Sequence, residues 1–255
     1  MKLPGNLRGW RRRCLVALVL GALLSSVAHQ AALAYPSSPK VLWVSEYDGP
    51  EYDDIDMASA MALSPDGDTV YVTGGSNGDA LYYDFVTVAY DAAAGVTRWL
   101  RRYNGPGNGV DDANALAVSP DGNTVFVTGD SDSINPDIAT IGYDAHTGAT
   151  LWVMRYGRPR GGGDEGNAMT VSFDGAKVFV AGSTEQTQSV DYTTLAIDAA
   201  TGRHLWDAHL DGPTHGYDEA TAIAVSPNAT RVFVAGFVDF VSPFEANYET
   251  VAYEG

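Results

Sequence analysis

Cysteine is almost absent from this chain of 255 residues, and its absence excludes several kinds of chemistry. The single cysteine, Cys14, lies in an N-terminal segment that has the features of an export signal. The remainder of the chain therefore has no disulfide, no thiolate nucleophile and no cysteine metal ligand. We expect its fold to be stabilised by packing alone.

Basic residues are scarce as well, and most of the chain is strongly acidic. The sequence has 15 Lys and Arg against 32 Asp and Glu, and five of the basic residues precede position 14. Without those five, ten basic residues stand against 32 acidic ones, a formal charge of −22. Such a surface repels nucleic acid and anionic membranes, so a nucleic-acid partner is not expected.

The first 34 residues have the three parts of a secretory signal peptide. A basic head precedes an apolar run at 14–24, and the small residues "ALA" at 32–34 form a cleavage site. We predict cleavage after Ala34, by ordinary secretion or, because of Arg11 and Arg12, by twin-arginine export. No later apolar run is long enough to span a membrane. The predicted location of residues 35–255 is outside a bacterial cell or at its surface.

Helical periodicity is missing after residue 35, and a repeated unit takes its place. Four tryptophans recur at spacings of 56, 53 and 54 residues: Trp43, Trp99, Trp152 and Trp206. The segment "ALSPDGDTVYVTG" returns as "AVSPDGNTVFVTG", "TVSFDGAKVFVAG" and "AVSPNATRVFVAG". The domain at 35–255 thus divides into repeats at about 41–97, 98–150, 151–204 and 205–255.

Each repeat contains four strand-like runs separated by tight-turn residues. In the second repeat the runs are "TRWLRRY", "NALAVS", "TVFVTG" and "IATIGYD", which are rich in β-branched and aromatic residues. The segments "SPDG" and "DAATG" place Pro and Gly where tight turns need them. Four short strands in a unit of this length form a blade, so we predict an all-β, four-bladed β-propeller.

The strand-like run at 41–47 precedes the first repeat's other strands, and the fourth repeat has no tryptophan strand after it. We predict that this N-terminal strand completes the last blade and closes the ring of a monomer, which leaves no edge strand unpaired. Two alternatives stay open. They are an eight-bladed ring made by two chains, and an open partial propeller of the kind that a truncated gene would produce.

The segments "YDAAAGVTRW", "YDAHTGATLW" and "IDAATGRHLW" resemble the tryptophan-docking repeat of the quinoprotein-like (PQQ-like) propellers. The order of segments from "RYNGP" to "DIATIGYD" is also similar to the secreted bacterial β-propeller (SBBP) repeat, and the pattern SPDGxxVYVTG is similar to YVTN-type propellers. The resemblance covers nearly all of the chain after the signal. It implies a structural role for the four repeated tryptophans, whose rings lie between blades.

The same resemblance raises the question of a quinone cofactor. The enzymes of that family use more blades, a calcium ion and often a pair of adjacent cysteines against the quinone. This chain has no cysteine pair, and the axis of four blades is too narrow for a flat tricyclic ring. We therefore expect no pyrroloquinoline quinone (PQQ) and no other cofactor, with Ca²⁺ as the one ion to consider.

One acidic position recurs in every repeat, just before the predicted innermost strand: Asp56, Asp111, Asp164 and Asp218. The next residue is acidic in three repeats, as Asp112, Glu165 and Glu219. A ring of carboxylates at the channel mouth is a candidate Ca²⁺ site, because Ca²⁺ takes about six to eight oxygen ligands. The alternative is that each aspartate caps its own loop by accepting backbone N–H groups.

No catalytic constellation stands out, so the chain is not expected to be an enzyme. Four equivalent carboxylates do not supply the two different environments that acid–base catalysis needs. The segment "GGSNG" at 74–78 fits the nucleophile pattern G-x-S-x-G, but no helix follows it. A quinoprotein-like or calcium-dependent enzyme acting at the acidic ring stays open as an alternative.

The loops after each "V-x-V-[TA]-G" segment differ most between repeats, and all of them leave one face of the predicted propeller. Recognition residues concentrate in variable loops on a constant scaffold. The candidate partner-binding residues are Tyr82, Tyr83, Phe237, Phe240 and Phe244. The apolar segment at 237–244 is interpreted as a partner patch or as a lid over the channel.

These observations together predict a secreted, non-catalytic module that binds an extracellular protein or glycan through its variable loops. A purely structural or truncated repeat protein is a further alternative. The sequence itself names neither the partner nor a substrate.

Overall fold

The computed structural model describes residues 39–50, 55–77, 82–132, 135–157, 162–186, 189–242 and 245–255, except for the side chains of 239–245. The predicted signal peptide at 1–34 lies outside these ranges. The chain divides after Val41, and the larger unit is Leu42–Gly255. Within the described residues every regular element is a β-strand, and no helix is long and apolar enough to cross a membrane.

The strands follow the order that the repeats predict. They are β1 (Asp56–Leu63), β2 (Thr69–Asn77), β3 (Tyr83–Asp91), β4 (Thr97–Tyr103), β5 (Asp111–Val118), β6 (Thr124–Ser131), β7 (Asp137–Asp144), β8 (Thr150–Tyr156), β9 (Asp164–Val171), β10 (Lys177–Glu185), β11 (Val190–Asp198), β12 (His204–Leu210), β13 (Tyr217–Val225), β14 (Arg231–Ser242) and β15 (Glu245–Glu254).

The strands form successive antiparallel blades. β1–β4 and β5–β8 make two four-stranded sheets in chain order. β9–β12 make a third, which a single parallel bridge between Val190 and Tyr217 joins to the three strands β13–β15. The prediction of an all-β fold made of repeated antiparallel blades is confirmed.

The hairpin between the first two strands of each blade depends on one residue in the left-handed conformation. Gly67, Gly122 and Gly175 adopt φ angles of +81°, +75° and +71°. In the fourth hairpin Ala229 takes the same place with a φ of +54°. A residue that carries a Cβ is strained there by about 1–2 kcal/mol relative to glycine. The fourth blade therefore contains the strained member of the set.

The tryptophan of each blade docks on the following blade. The indole N–H groups of Trp99 and Trp152 donate to backbone carbonyls of the next blade at 2.8 and 3.0 Å. Each ring lies on a glycine of the "DAATG"-type turn. A Cβ added to Gly148 would stand 2.7 Å from the Trp99 ring, and one added to Gly202 would stand 2.6 Å from the Trp152 ring. Only glycine fits beneath the indole.

The second strand of the second blade, β6, is buried on both of its faces, as its consecutive apolar residues predict. In β6, Val125 and Val127 pack into the cluster that the second blade shares with the first. Phe126, which points the other way, packs with Trp152 and with side chains of the third blade. All three β6 side chains are at most 1% exposed. The second blade is thus packed between the first and the third.

The predicted closing strand is not formed in this structure. Residues 41–47 have no strand assignment, and β15 pairs with β14 alone among the described strands. The N-terminal segment is held on the first blade instead, where the Trp43 indole N–H donates to the Ala92 carbonyl at 2.9 Å. The sheets therefore do not form a closed ring, and the count of four blades in a closed ring remains a prediction.

Replacing Ala229 by glycine is expected to stabilise the protein by about 0.5–1 kcal/mol, because the left-handed backbone then carries no Cβ. Urea unfolding measures the change in the free energy of unfolding. Ala176→Gly, in the third hairpin and outside the positive-φ set, is the control. It should destabilise the protein by about 0.5–1 kcal/mol. Destabilisation by both substitutions would contradict the strain at Ala229.

Gly202→Ala is expected to destabilise the protein by about 3 kcal/mol or more, since the new Cβ meets both an unfavourable φ and the Trp152 ring. Gly175→Ala is the matched control, because its φ is +71° against +70° at Gly202 and its nearest neighbouring atom would be 3.6 Å away. The difference between the two variants in urea unfolding isolates the docking contact. Equal losses would show that the indole contact adds nothing.

Candidate functional site

The two ends of the blades are built differently. Because the strands are antiparallel, the hairpins at 64–69 and 91–97 lie at one end of the first blade. This end, with its equivalents in the other blades, is named the turn face. The connections at 77–83 and 103–111 lie at the opposite end, which is named the loop face. The repeated aspartates and the variable segments all belong to the loop face.

The repeated aspartates hold the connection that precedes their own strand. The carboxylate of Asp111 accepts the backbone N–H of Gly105 at 2.8 Å. Asp56 and Asp218 each accept the N–H of a glycine seven and six positions earlier, at 2.8 and 2.5 Å. These bonds are the loop caps that the sequence offered as the alternative to a metal ring.

Three of these aspartates are deeply buried. Asp111, Asp164 and Asp218 are at most 1% exposed, whereas Asp56 is half-buried. Burial raises the pKa of Asp111, and the hydrogen bonds from the Ser131 hydroxyl and the backbone act in the opposite direction. A buried carboxylate of this kind is stabilised by its hydrogen bonds and is not displayed to solvent.

The four repeated aspartates do not meet at one point within the described part of the chain. The acidic trio whose oxygens come within 4.8 Å of one another is Asp191, Asp211 and Asp218, all from the third and fourth repeats. Asp191 already accepts the hydroxyl of Ser189 at 2.7 Å, and Asp211 is paired with His215. A Ca²⁺ ring formed by all four aspartates remains a prediction.

In each of the first two blades, one arginine links strand ends at the loop face through hydrogen bonds and ion pairs. The guanidinium of Arg102 donates to the carboxylate of Asp84 at 3.1 Å, to the hydroxyl of Ser76 at 2.7 Å and to the hydroxyl of Tyr47 at 2.8 Å. Arg155 repeats the arrangement in the second blade, with two aspartates at 2.6 and 2.9 Å. Each arginine thereby joins the ends of the second, third and fourth strands.

The third blade has histidine at the equivalent position. His209 hydrogen-bonds with the Thr193 hydroxyl through Nδ1 at 2.9 Å, and with the Tyr156 hydroxyl through Nε2 at 3.0 Å. The Asp207 carboxylate lies 3.0 Å from Nε2. A titratable ring thus replaces a permanent cation at the base of the third blade's loops.

A second set of carboxylates lies on the first two strands of the later blades: Asp112, Asp130, Glu165 and Glu219. The pKa of Asp130 is raised to about 6, chiefly by burial, then by the charge of Glu165, with Asp112 adding less. Burial also raises the pKa of Asp112, and burial together with Glu219 raises that of Glu165. These groups form a patch of negative potential that attracts cations.

Side-chain amides donate hydrogen bonds to two of these four carboxylates. The side chain of Asn114 donates to Asp130 at 3.2 Å, and that of Asn167 donates to Glu219 at 2.9 Å. The sequence pointed to three of the four carboxylates through the acidic position after each repeated aspartate. Asp130 was missed because the equivalent residues in the other blades are glycine, serine and phenylalanine, so no repeated letter marks it.

Some of the predicted partner-binding aromatics are accessible on the loop face. Tyr82 is 46% exposed, and Tyr83 is half-buried at the start of β3. Phe237 stacks on Tyr217 with ring centroids 5.9 Å apart. The side chain of Phe240 is not among those described, and Phe244 lies outside the described residues.

The segment at 237–244 was predicted as a loop, and this prediction is wrong for the described residues 237–242. β14 continues to Ser242, and its extension pairs with β15, where Phe237 lies opposite Tyr248 and Ser242 lies opposite Glu245. The apolar "FVDFV" stretch has the composition of a strand, and β15 supplies the backbone partners that it needs. The fourth blade therefore ends in a long hairpin at the loop face.

A family profile described as outer membrane protein assembly factor BamB matches residues 37–252 of this chain. No curated protein matches it.

Several solved structures are similar to this chain. BamB from Moraxella catarrhalis is 17% identical to this chain, with a TM-score of 0.40, and the match covers 70% of this chain and 44% of that one. The β-propeller domain of the Trilobed protease from Pyrococcus furiosus is 9% identical, with a TM-score of 0.45, and the match covers 78% of this chain and 54% of that one. Quinohemoprotein alcohol dehydrogenase from Comamonas testosteroni is 18% identical, with a TM-score of 0.47, and the match covers 66% of this chain and 30% of that one. This chain spans about half or less of the length of each of them.

Asp130→Asn should stabilise the protein at about pH 8 and change little at about pH 3. The folded pKa is about 6 and the reference value is 3.8, so folding favours the protonated acid. That stabilisation is complete below the unfolded pKa and is lost as the pH rises through the folded pKa. The expected gain at high pH is about 1–3 kcal/mol by urea unfolding.

Asp121→Asn is the control for this pH dependence. The hydroxyl of Ser119 and the backbone N–H of Asn123 lower the pKa of Asp121, so its charge favours folding. The control variant should therefore lose stability above the unfolded pKa, the opposite sign to Asp130→Asn. A stability difference at Asp130 that does not change between these pH values would refute the proposed origin of its pKa.

Proposed function

Because the chain belongs to the PQQ-like propeller family described as outer membrane protein assembly factor BamB, we propose that it is a non-catalytic binding module. Its partner is a protein or glycan, and the loop face receives it. The observation that carries this proposal is that the loop face contains two kinds of residue with different surroundings. The repeated polar groups are bonded to the scaffold, and the residues that differ between blades are the ones left for contact.

The base of the loop face is rigid enough to support recognition. Asp56, Asp111 and Asp218 each accept a backbone N–H group, and Arg102 and Arg155 donate to hydroxyls and carboxylates of their own blades. Loops held in place at both ends lose little conformational entropy on binding, which favours affinity.

Exposed aromatic and acidic groups are available for contact on the same face. Tyr82 is 46% exposed, and aromatic side chains give a large contact area at low entropic cost, for a peptide or for a sugar ring. The formal charge of −22 after the predicted cleavage favours partners with basic surfaces through faster association. Secretion or display at the cell surface, predicted from residues 1–34, is part of the proposal.

No observation favours the enzyme alternatives over this function. Residues 35–255 contain no cysteine, so the cysteine pair that the family resemblance associates with quinone is not available. The loop caps use the carboxylates that a fourfold Ca²⁺ site would need. We propose in addition that the segment at 41–47 acts as the outermost strand of a fourth blade, that of the same chain or that of a second copy.

A glycan array and a phage-displayed peptide library are the probes for this function. The purified chain is expected to select ligands of one class, and Tyr82→Ser combined with Tyr83→Ser should weaken their binding by about tenfold or more. Phe173→Ser is the matched control, because Phe173 is 62% exposed in a hairpin of the turn face. It should leave the affinity unchanged.

Thermal melts of the three proteins show whether the substitutions act on binding or on folding. Equal melting temperatures with a selective loss in the tyrosine variant support the loop face as the binding surface. Equal loss of binding in both variants, or the absence of any selected glycan and peptide, would refute the proposal.

A further inference from the structure

The N-terminal segment lies on the first blade as the last strand of a blade does on its successor. Trp43 donates its indole N–H to Ala92 at 2.9 Å, and its ring lies where a Cβ on Gly95 would stand, at 2.7 Å. The hydroxyl of Tyr47 accepts a bond from Arg102 at 2.8 Å. Trp99 and its blade repeat each of these contacts one blade later. The segment is therefore placed as the outer strand of a blade that precedes the first one.

The partner that this segment lacks can be identified from the other blades. Trp99, Trp152 and Trp206 each contact an aromatic ring on the second strand of their own blade, with centroids 5.8, 5.8 and 6.0 Å apart. The residue at that position in the fourth blade is Phe233, which is 39% exposed. Among the described rings, Phe233 contacts no indole, and Trp43 contacts only Tyr90 of the first blade.

Two complementary surfaces are exposed around these residues. On the first blade, a groove of about 310 Å³ is lined by Trp43, Met57, Met61 and the strand valines, and Met61 is 68% exposed. On the fourth blade, β15 has one unpaired edge among the described strands, and Tyr248 on it is 89% exposed. In the blades that do have neighbours, the equivalent surfaces are covered by an adjoining blade.

We propose that a second copy of the chain covers both surfaces. The segment at 42–47 of one copy pairs with the free edge of β15 of the other, and Trp43 packs on Phe233 of that copy. The reverse contact forms as well, so two identical junctions close a two-fold ring. A second copy fits better than the chain's own fourth blade, because each of the innermost strands β1, β5 and β9 packs on the next one along the chain, whereas β13 does not pack on β1 in the same way.

The register of the other blades defines this junction. Ala89 lies opposite Trp99 and Val86 lies opposite Arg102, so Ala252 should lie opposite Trp43. The same register places Glu249 opposite Glu46. Like charges directly opposite each other on neighbouring strands are destabilising. The junction therefore contains one repulsive pair that a neutral substitution relieves.

The mass of the chain in native mass spectrometry at micromolar concentration tests the proposal. The wild-type chain should be a dimer, and Trp43→Ala and Phe233→Ser should each raise the dissociation constant by about 30-fold or more, the usual effect of losing a central aromatic contact. An equimolar mixture of the two variants should form a heterodimer, because one junction then contains both Trp43 and Phe233. Intramolecular closure cannot produce this complementation.

A second pair of variants tests the register. Glu46→Gln should tighten the dimer by about twofold to fivefold, and Asp48→Asn, exposed just beyond the paired segment, should leave it unchanged. Thermal melts confirm that Trp43→Ala and Phe233→Ser remain folded. A monomeric wild-type chain, or a dimer that neither aromatic substitution weakens, would overturn the proposal. The monomer would favour a ring closed within one chain.

Discussion

The indole rings of Trp99 and Trp152 each lie on a glycine of the next blade, and the spacing of the first three blades depends on that contact. Gly148 and Gly202 provide a left-handed backbone and a bare Cα at once, so the turn and the ring fit together. The indole N–H satisfies a carbonyl that the junction would otherwise bury unpaired. Because the contact recurs, adjacent blades take similar relative positions, and the apolar faces of the second strands are covered on both sides.

The loop face depends on a different set of bonds. Aspartate caps and the guanidinium groups of Arg102 and Arg155 hold the ends of strands whose connections vary in sequence. Repetition also has a cost, because an acidic position copied through successive blades brings like charges together. Burial is the main cause of the raised pKa of Asp130, and the charges of Glu165 and Asp112, which do lie at the repeated position, raise it further.

The repeated letters made most of the architecture predictable. Strand order, the "SPDG" hairpins and the packing of the tryptophans each depend on residues that are close in sequence and occur several times. Asp130, His209 and the extended β14 were not predictable in this way. Each departs from the repeat at a single place, and its environment is formed by residues up to 53 positions away, as in the bond between His209 and Tyr156.

The sequence by itself determined the all-β class, the blade unit, the acidic surface and the lack of thiol chemistry, because composition and short-range periodicity control these properties. Tertiary structure brought backbone N–H groups to Asp56, Asp111 and Asp218, since a carboxylate becomes a cap only when a loop places such a group against it. It also decided where the N-terminal segment lies. The attachment of Trp43 to the first blade is a long-range packing choice between equivalent sites, and local sequence cannot distinguish such sites.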